Sequence, residues 1–266
     1  MNFLSKLLGC NEEDVNRIVD EELNDLSNNC EKKQYLGFIP GDRSLHEAHK
    51  GFIDFDTRIR FGVASTINYS MKTKDFYYAF AHDVKRYNIQ NIRSVIVFLM
   101  SFINSYLGIC TGEDRREDIQ NILLESTVTD EEYFSAIEAL EIGYFKGKRM
   151  GMCTERSAIA QNILSMFGVE SYYCMGAIDN EPHCFNVIKY DGSFCVLDYS
   201  QLCSFKNGEK SYCVPLLSKI PDDNADDFFN KCVPMTLDVY NFINGESVKA
   251  GQSDYVVGKW EFEIEK

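Results

Sequence analysis

Residues 151–200 read GMCTERSAIAQNILSMFGVESYYCMGAIDNEPHCFNVIKYDGSFCVLDYS. Cys153 opens a run over 154–167 in which apolar residues recur at spacings of three and four, which predicts a helix with one buried face. Gly168 follows as a helix stop. A cysteine at a helix N-terminus lies beside unpaired backbone N–H groups and the positive end of the helix dipole, and both favour the thiolate. We therefore take Cys153 as a candidate nucleophile.

A histidine and an aspartate lie on the strands predicted downstream. Short β-strands are expected over 172–178, 183–190 and 194–199. An Asp-Gly dipeptide at 191–192 predicts a tight hairpin between the last two strands. In such a hairpin His183 and Asp198 fall at roughly opposite positions. The carboxylate can then hold the imidazole in one tautomer while the other ring nitrogen faces a thiol, as in a triad of nucleophile, base and orienting acid.

A single cysteine is weak evidence for a catalytic site in this chain, because the chain has ten cysteines and a buried cysteine is usually a small core side chain. Those at 174, 184, 195, 203 and 213 fall mostly inside apparent strands, as core residues do. Without a secretory signal, we expect reduced thiols and a cytoplasmic protein. No Cys-x-x-Cys pair occurs and there are only four histidines, so neither a metal site nor a cofactor is predicted.

The arrangement of these motifs resembles the catalytic core of the transglutaminase-like superfamily, a branch of the papain-like cysteine-nucleophile proteins. The similar segments are Gly151-Met152-Cys153, His183-Cys184-Phe185-Asn186-Val187, Asp191-Gly192 and Val196-Leu197-Asp198. In that family the cysteine is the nucleophile, the histidine the base and the aspartate the third member, roles that the resemblance transfers to Cys153, His183 and Asp198. Members often carry tryptophan two residues after the histidine, where this chain has Phe185.

The resemblance implies an α+β fold with a transglutaminase-like (papain-like) core, in which helices pack on an antiparallel sheet. It also implies acyl transfer on peptide or protein amides, by a peptidase, deamidase or transglutaminase. Two alternatives stay open. A non-catalytic binding or scaffolding module could keep the same fold. The segment 149–155 (RMGMCTE) also looks somewhat like an element of the arylamine N-acetyltransferases, which implies a thioester-dependent N-acyltransferase.

The net charge and the hydropathy pattern restrict the classes of partner that the protein is expected to bind. The formal net charge of −14 argues against a nucleic-acid-binding or anionic-membrane surface, since both need clustered basic side chains. The uncharged segment 94–112 contains polar residues, and its apolar part is shorter than the roughly 20 residues that a bilayer requires. It is therefore predicted as a buried helix, and no membrane partner is expected.

The chain as a whole is predicted to divide into a mainly helical N-terminal extension, 1–90, and the catalytic core, 91–266. Helices are predicted over 12–26, 74–87, 92–107, 113–124 and 130–145, and later strands over 212–217 and 255–264. The acidic run 222–227 is interpreted as a helix cap.

Two smaller features have competing interpretations. The cations of the 146–149 loop (KGKR) either favour a thiolate at Cys153 or only solubilise the loop. His46, Glu47 and His49 are interpreted as exposed loop residues rather than metal ligands, because no third ligand is evident.

Overall fold

The computed structural model of the chain describes residues 2–30, 35–37, 48–55, 58–61, 67–108, 140–141, 146–147, 151–207, 210–230, 233–243 and 246–258. Within these ranges, helices pack against a sheet of antiparallel strands, as predicted. The helices are α1 (Phe3–Gly9), α2 (Val15–Asn29), α3 (Asp75–Arg86), α4 (Ile92–Leu107), α5 (Cys153–Met166) and α6 (Ala225–Asn230).

The strands form two sheets. In chain order they are β1 (Tyr35–Gly37), β2 (Ala48–Lys50), β3 (Arg58–Phe61), β4 (Ile67–Ser70), β5 (Leu140–Glu141), β6 (Ser171–Ile178), β7 (Glu181–Tyr190), β8 (Ser193–Asn207), β9 (Lys210–Lys219), β10 (Met235–Ile243) and β11 (Glu246–Val257). The small sheet has the order β1-β3-β4-β5. The large sheet has the order β11-β10-β9-β8-β7-β6-β2, and β11 also pairs with β6, so six strands close into a barrel.

Tight turns connect the strands that carry the predicted site. Asp191 and Gly192 have φ of 50° and 82° and join Tyr190 to its partner Ser193, which confirms the predicted hairpin. A second two-residue turn, at Asp179 and Asn180, joins β6 to β7 and was not predicted.

Helix α5 packs against α2, α4 and strands β6 to β8. Every residue from Thr154 to Met166 is buried, where the sequence predicts one buried face. The polar side chains tolerate burial because they bond to neighbouring backbone; Asn162, for example, donates to Ile53 O (3.0 Å) and accepts from Ile53 N (2.7 Å). Helices α1 to α4 share one hydrophobic core with α5, so residues of the 1–90 segment contribute directly to it.

Most predicted elements lie where the sequence places them. Helices α2, α3 and α4 and strands β6 to β9 match predicted segments, and α6 begins within the acidic run 222–227. Strand β10 was not predicted, and of the terminal strand 255–264 the part from 259 lies outside the described residues. The helix predicted over 113–124 also lies outside them. At 140–141 the prediction of helix is wrong, because these two residues pair with β4 as a strand.

The prediction that His49 lies in an exposed loop is wrong. It lies on β2 and is 1% exposed, rather than in an exposed loop, and its Nε2 is 3.1 Å from Phe52 O. Its strand pairs with β6 at the edge of the large sheet, which accounts for the burial. His46 and Glu47 lie outside the described residues. No helix within the described ranges is both long and apolar enough to cross a bilayer.

Closure of the barrel depends on a glycine beside the predicted base. Gly176 pairs with His183 on one side and with Val257 on the other, and a Cβ at 176 would overlap the carbonyl oxygen of Val256. Backbone cannot retreat as a side chain can, so we expect Gly176→Ala to lower the free energy of unfolding by about 3 kcal/mol. Urea unfolding followed by far-UV circular dichroism would measure this.

Gly251→Ala is the matched control, since a Cβ on that β11 glycine would meet nothing within 4 Å. We expect its unfolding midpoint to stay near that of the wild type. Equal stability of the Gly176→Ala variant would mean that β6 and β11 are not held this closely.

Candidate active site

Cys153 is the first residue of α5 and is partly exposed. The helix start is fixed by Glu155, whose Oε2 accepts the backbone N–H of Met152 at 2.9 Å. Gly151 is required by packing, because a Cβ there would lie 2.5 Å from a methyl carbon of Leu107 at the end of α4. These contacts place Cys153, a partly exposed residue, at the positive end of a buried helix.

His183 and Asp198 lie in direct contact. His183 Nε2 is 2.8 Å from Asp198 Oδ2, and the two side chains are 10% and 0% exposed. The β7–β8 register pairs Asn186 with Leu197, so Asp198 stands two positions from the residue directly opposite His183. The pair is therefore diagonal rather than directly opposite, and both side chains lie on one face of the sheet.

The carboxylate of Asp198 is held on both oxygens. Oδ1 accepts the backbone N–H of Ser200 at 2.8 Å, and Oδ2 is also 3.4 Å from the hydroxyl of Tyr255 on β11. Phe185, which replaces the tryptophan common in the resembled family, lies parallel to the His183 ring with centroids 6.4 Å apart. Hydrogen bonds and ring packing thus fix the imidazole from two sides.

The Cys153 thiol completes this group. The Thr154 hydroxyl lies 4.0 Å from Cys153 Sγ and 3.6 Å from Cys184 Sγ, so the nucleophile lies next to the strand that carries His183. Because Asp198 takes Nε2 of the histidine, Nδ1 is the ring nitrogen left to face the sulfur. The hydrogen bond from the Cys184 thiol, followed by the hydrogen bond and positive charge of His183, holds the pKa of Cys153 well below its ordinary value against the opposing effect of burial.

The pKa of His183 is shifted in the opposite direction. Burial by itself lowers the pKa of His183, but the charge and hydrogen bond of Asp198, together with the Cys153 sulfur, raise it well above its ordinary value. A lowered thiol pKa and a raised imidazole pKa both favour the ion pair of thiolate and imidazolium. The two titrations belong to the pair, because each group stabilises the charge of the other.

Arg156, which the sequence analysis did not single out, ties the site together. Its guanidinium is 4% exposed and donates to Gly151 O (3.2 Å), Asn104 Oδ1 (2.6 Å), Gly108 O (2.6 Å) and Tyr199 O (3.3 Å). It therefore links the residue two before Cys153, the end of α4 and the residue after Asp198. The available signal was a cation inside an otherwise uncharged, mostly apolar run over 156–167.

A buried polar network fixes α5 against the sheet. Ser157 Oγ donates to Cys184 O at 3.0 Å, and Asn186 Nδ2 donates to Ser157 O (3.0 Å) and Gln161 Oε1 (3.1 Å). Gln161 Nε2 donates in turn to Ser171 O at 3.0 Å. Helix and strands cannot slide past one another without breaking these bonds, so the distance between thiol and imidazole is fixed.

Other side chains considered from the sequence lie elsewhere. Lys146 is 3.5 Å from Asp75 Oδ2, and residues 148 and 149 lie outside the described part of the chain. His82, on α3, has Nδ1 2.6 Å from Glu12 Oε1. Among the residues that the structure describes, no three His, Cys, Asp or Glu side chains are grouped so that they could hold a metal ion.

The structure thus combines a hydrogen-bonded pair of His183 and buried Asp198 with a partly exposed Cys153 at the start of the helix that packs on their strands. Comparison of the chain with protein-family models, with curated proteins and with solved structures gives no significant match.

Proposed function

We propose that this protein is a cysteine-nucleophile acyl-transfer enzyme with a transglutaminase-like core. The observation that carries the proposal is the 2.8 Å hydrogen bond between His183 and buried Asp198, beside a partly exposed Cys153 whose pKa the neighbouring groups, His183 among them, lower. A purely structural cysteine is a neutral packing group, whereas this sulfur lies at a helix N-terminus with hydrogen-bond donors around it.

The proposed reaction has two steps. Cys153 thiolate attacks a carbonyl carbon and forms a C–S bond, and backbone N–H groups at the start of α5 stabilise the negative oxygen. The His183 imidazolium then protonates the leaving group as its bond to carbon breaks, which leaves a thioester. His183 next takes a proton from the second nucleophile, the C–S bond breaks and the thiolate returns. Asp198 keeps the imidazole oriented and stabilises its positive form.

Peptide or protein amides are the proposed substrates, by the resemblance of residues 151–200 to the transglutaminase-like superfamily. Water as second nucleophile gives a peptidase or deamidase, and an amine gives a transglutaminase. The alternatives remain a non-catalytic module of the same fold and an N-acyltransferase that uses an acyl thioester. The lowered pKa of Cys153 favours an enzyme over a binding module, since a binding surface has no need for a thiolate.

Selective alkylation tests the proposal. With limiting iodoacetamide at about pH 6, where an ordinary thiol of pKa about 8.5 is mostly protonated, we expect Cys153 to be labelled first. In His183→Ala the rate at Cys153 should fall at least about tenfold, because the imidazolium no longer stabilises the thiolate. Peptide mass spectrometry identifies the labelled residue.

Three other cysteines serve as internal controls for the labelling experiment. Cys10 and Cys30 are also partly exposed, but their S–H groups donate to the carbonyl oxygens of Leu7 and Ser27. Burial raises the pKa of Cys195 to about 11. His82→Ala, which removes a histidine bonded to Glu12 instead, should leave labelling of Cys153 unchanged. Slow labelling without preference among the cysteines would refute the activated nucleophile and favour the binding module.

An acyl thioester separates the enzyme alternatives. Incubation with acetyl-CoA followed by intact-mass measurement should give no acetyl adduct if amides are the substrates. A stable adduct on Cys153 would instead support the N-acyltransferase alternative.

A further inference from the structure

Tyr255 joins the last strand of the barrel, β11, to the carboxylate of Asp198. Its side chain is fully buried in the hydrophobic core that the barrel strands share with α6. Its hydroxyl donates to Asp198 Oδ2 at 3.4 Å, although the two residues are 57 positions apart in the chain. A phenylalanine would fill such a core without burying a hydroxyl, which costs free energy unless the group is hydrogen-bonded. The contact with Asp198 therefore asks for a role other than packing.

The carboxylate of Asp198 needs support at both oxygens, because the torsion about its Cβ–Cγ bond has only a broad preference. The backbone N–H of Ser200 fixes Oδ1 at 2.8 Å. The other oxygen, Oδ2, makes the 2.8 Å bond to His183 Nε2, and the Tyr255 hydroxyl donates to this same atom. A carboxylate oxygen can accept from two donors at once. The hydroxyl thus supports Oδ2 independently of the imidazole that the carboxylate has to orient.

The backbone is fixed on both sides of Tyr255. Before it, Asp254 O accepts the N–H of Asp179 at 2.8 Å, and the N–H of Asp254 donates to Asp179 Oδ1 at 2.7 Å. After it, the N–H of Gly258 donates to Met175 O at 2.8 Å. Since these bonds run to β6 and to the turn that follows it, the position of the Tyr255 hydroxyl is set by closure of the barrel.

The ring of Tyr255 also reaches the histidine side of the pair. It packs edge-on against Phe185, with centroids 5.2 Å apart and an interplanar angle of 76°. Phe185 in turn lies parallel to the His183 ring. One residue of β11 therefore contacts the acid directly and supports the base through one aromatic ring.

We propose that Tyr255 is a positioning residue, whose hydroxyl holds Asp198 Oδ2 against His183 Nε2, so that closure of the barrel by β11 completes the catalytic site. The inference rests on the proposed function, since it assigns Tyr255 a role toward the same histidine and aspartate. The proposed reaction itself does not use the hydroxyl, which touches neither the substrate carbonyl nor the nucleophile in that scheme.

Tyr255→Phe tests this role, because it keeps the ring and removes only the hydroxyl. The net value of one hydrogen bond is modest, so acylation of Cys153 by p-nitrophenyl acetate should slow by about threefold to tenfold. A carboxylate that turns more freely stabilises the imidazolium less and lowers the pKa of His183. Because the rate declines as the imidazolium loses its proton, the upper limb of the pH profile should move to lower pH. The groups whose charges raise the pKa of His183, Asp198 on β8 and Cys153 on α5, are both retained.

Tyr77→Phe is the matched control. Tyr77 is equally buried, but it lies on α3 and its hydroxyl accepts from Asn162 Nδ2 at 2.6 Å. Its replacement should leave the pH profile in place. Incorporation of p-aminophenylalanine at 255 keeps an N–H donor at the same point of the ring and should restore most of the wild-type rate and profile.

A double-mutant cycle locates the effect at Asp198. In Asp198→Asn the amide N–H₂ occupies the position of Oδ2, so the Tyr255 hydroxyl has no acceptor there. Adding Tyr255→Phe to Asp198→Asn should therefore cause no further loss of rate. A packing role for Tyr255 would give the same loss in either background.

The outcomes separate the two proposals. If wild-type Cys153 is not acylated, the proposed function itself fails. If it is acylated, and Tyr255→Phe has the wild-type rate and profile or slows both backgrounds equally, the role of Tyr255 alone is overturned. An upper limb displaced to higher pH also overturns it, because the hydroxyl would then withdraw charge from the carboxylate rather than position it. A Tyr255→Phe protein that circular dichroism shows to be unfolded would assign the hydroxyl to folding instead.

Discussion

Replacing Asp198 with asparagine is expected to leave the chain folded and to slow acylation of Cys153 by about 10³- to 10⁴-fold. The asparagine can still accept the Ser200 N–H, now made to Oδ1, so the local backbone is retained. Its amide N–H₂ must then face His183 Nε2, which becomes an acceptor and moves the ring proton to the nitrogen facing the thiol. That tautomer cannot take a proton from Cys153, and the loss of the negative charge also removes the main influence that raises the pKa of His183.

The release of p-nitrophenolate from p-nitrophenyl acetate measures acylation without knowledge of the natural substrate. Asp191→Asn makes the same chemical change in the exposed hairpin turn, where φ is 50° and asparagine is well tolerated, and should leave the rate unchanged. Circular dichroism confirms that both variants fold. An Asp198→Asn protein with the full wild-type rate would show that Asp198 is not the third member of the triad.

The pH profile of this reaction follows from the same two groups. The wild-type rate should rise as pH increases through the lowered pKa of Cys153 and decline as pH passes the raised pKa of His183, because the imidazolium is needed as proton donor. In Asp198→Asn the upper limb should move to lower pH, since the imidazolium loses its counter-charge.

The candidate residues could be predicted from the sequence because the signals that mark them lie close to them in the chain. Cys153 is marked by a glycine before it and a helix after it, and the turn at 191–192 fixes the register that brings His183 close to Asp198. Hairpins relate residues only a few positions apart, so one turn signal determines many pairings. Local signals also located α4, which has an Asn91 cap and a long apolar run, and α6, which has acids in its first turn.

What sequence could not supply is contact between distant segments. Closure of the barrel joins Gly176 to Val257, and nothing in either strand's pattern states which strand it meets. Leu140–Glu141 lie in a segment of helical pattern, but pairing with β4 determines their backbone. In the sequence Cys184 resembles any other core residue, and only the packing of α5 against β7 brings its sulfur to the Thr154 hydroxyl and its carbonyl to Ser157.

Arg156 is the clearest case of information that only the fold provides, and its replacement carries the largest expected effect on stability. Its five N–H donors reach four oxygens on three elements, and the shortest of these bonds, 2.6 Å to Asn104 Oδ1 and to Gly108 O, hold the end of α4. Arg156→Met fills a similar volume but leaves these buried acceptors unpaired. We expect a loss of about 4 kcal/mol in the free energy of unfolding, and roughly a 10 °C fall in Tm.

Thermal and urea unfolding would measure the loss, with Arg17→Met as matched control. Arg17 is exposed on α2 and pairs with surface acids at Asp14 and Glu21, so its removal should leave the midpoint nearly unchanged. Arg156→Lys keeps the charge but cannot reach four oxygens at once, and should fall between the wild type and Arg156→Met. Because Arg156 also holds Gly151 and Tyr199, acylation by p-nitrophenyl acetate should weaken together with stability across this series. If Arg156→Met were as stable as the wild type, the bonds to α4 would contribute nothing net, and the position of Cys153 relative to Asp198 would have to be maintained by the Ser157–Asn186–Gln161 network alone.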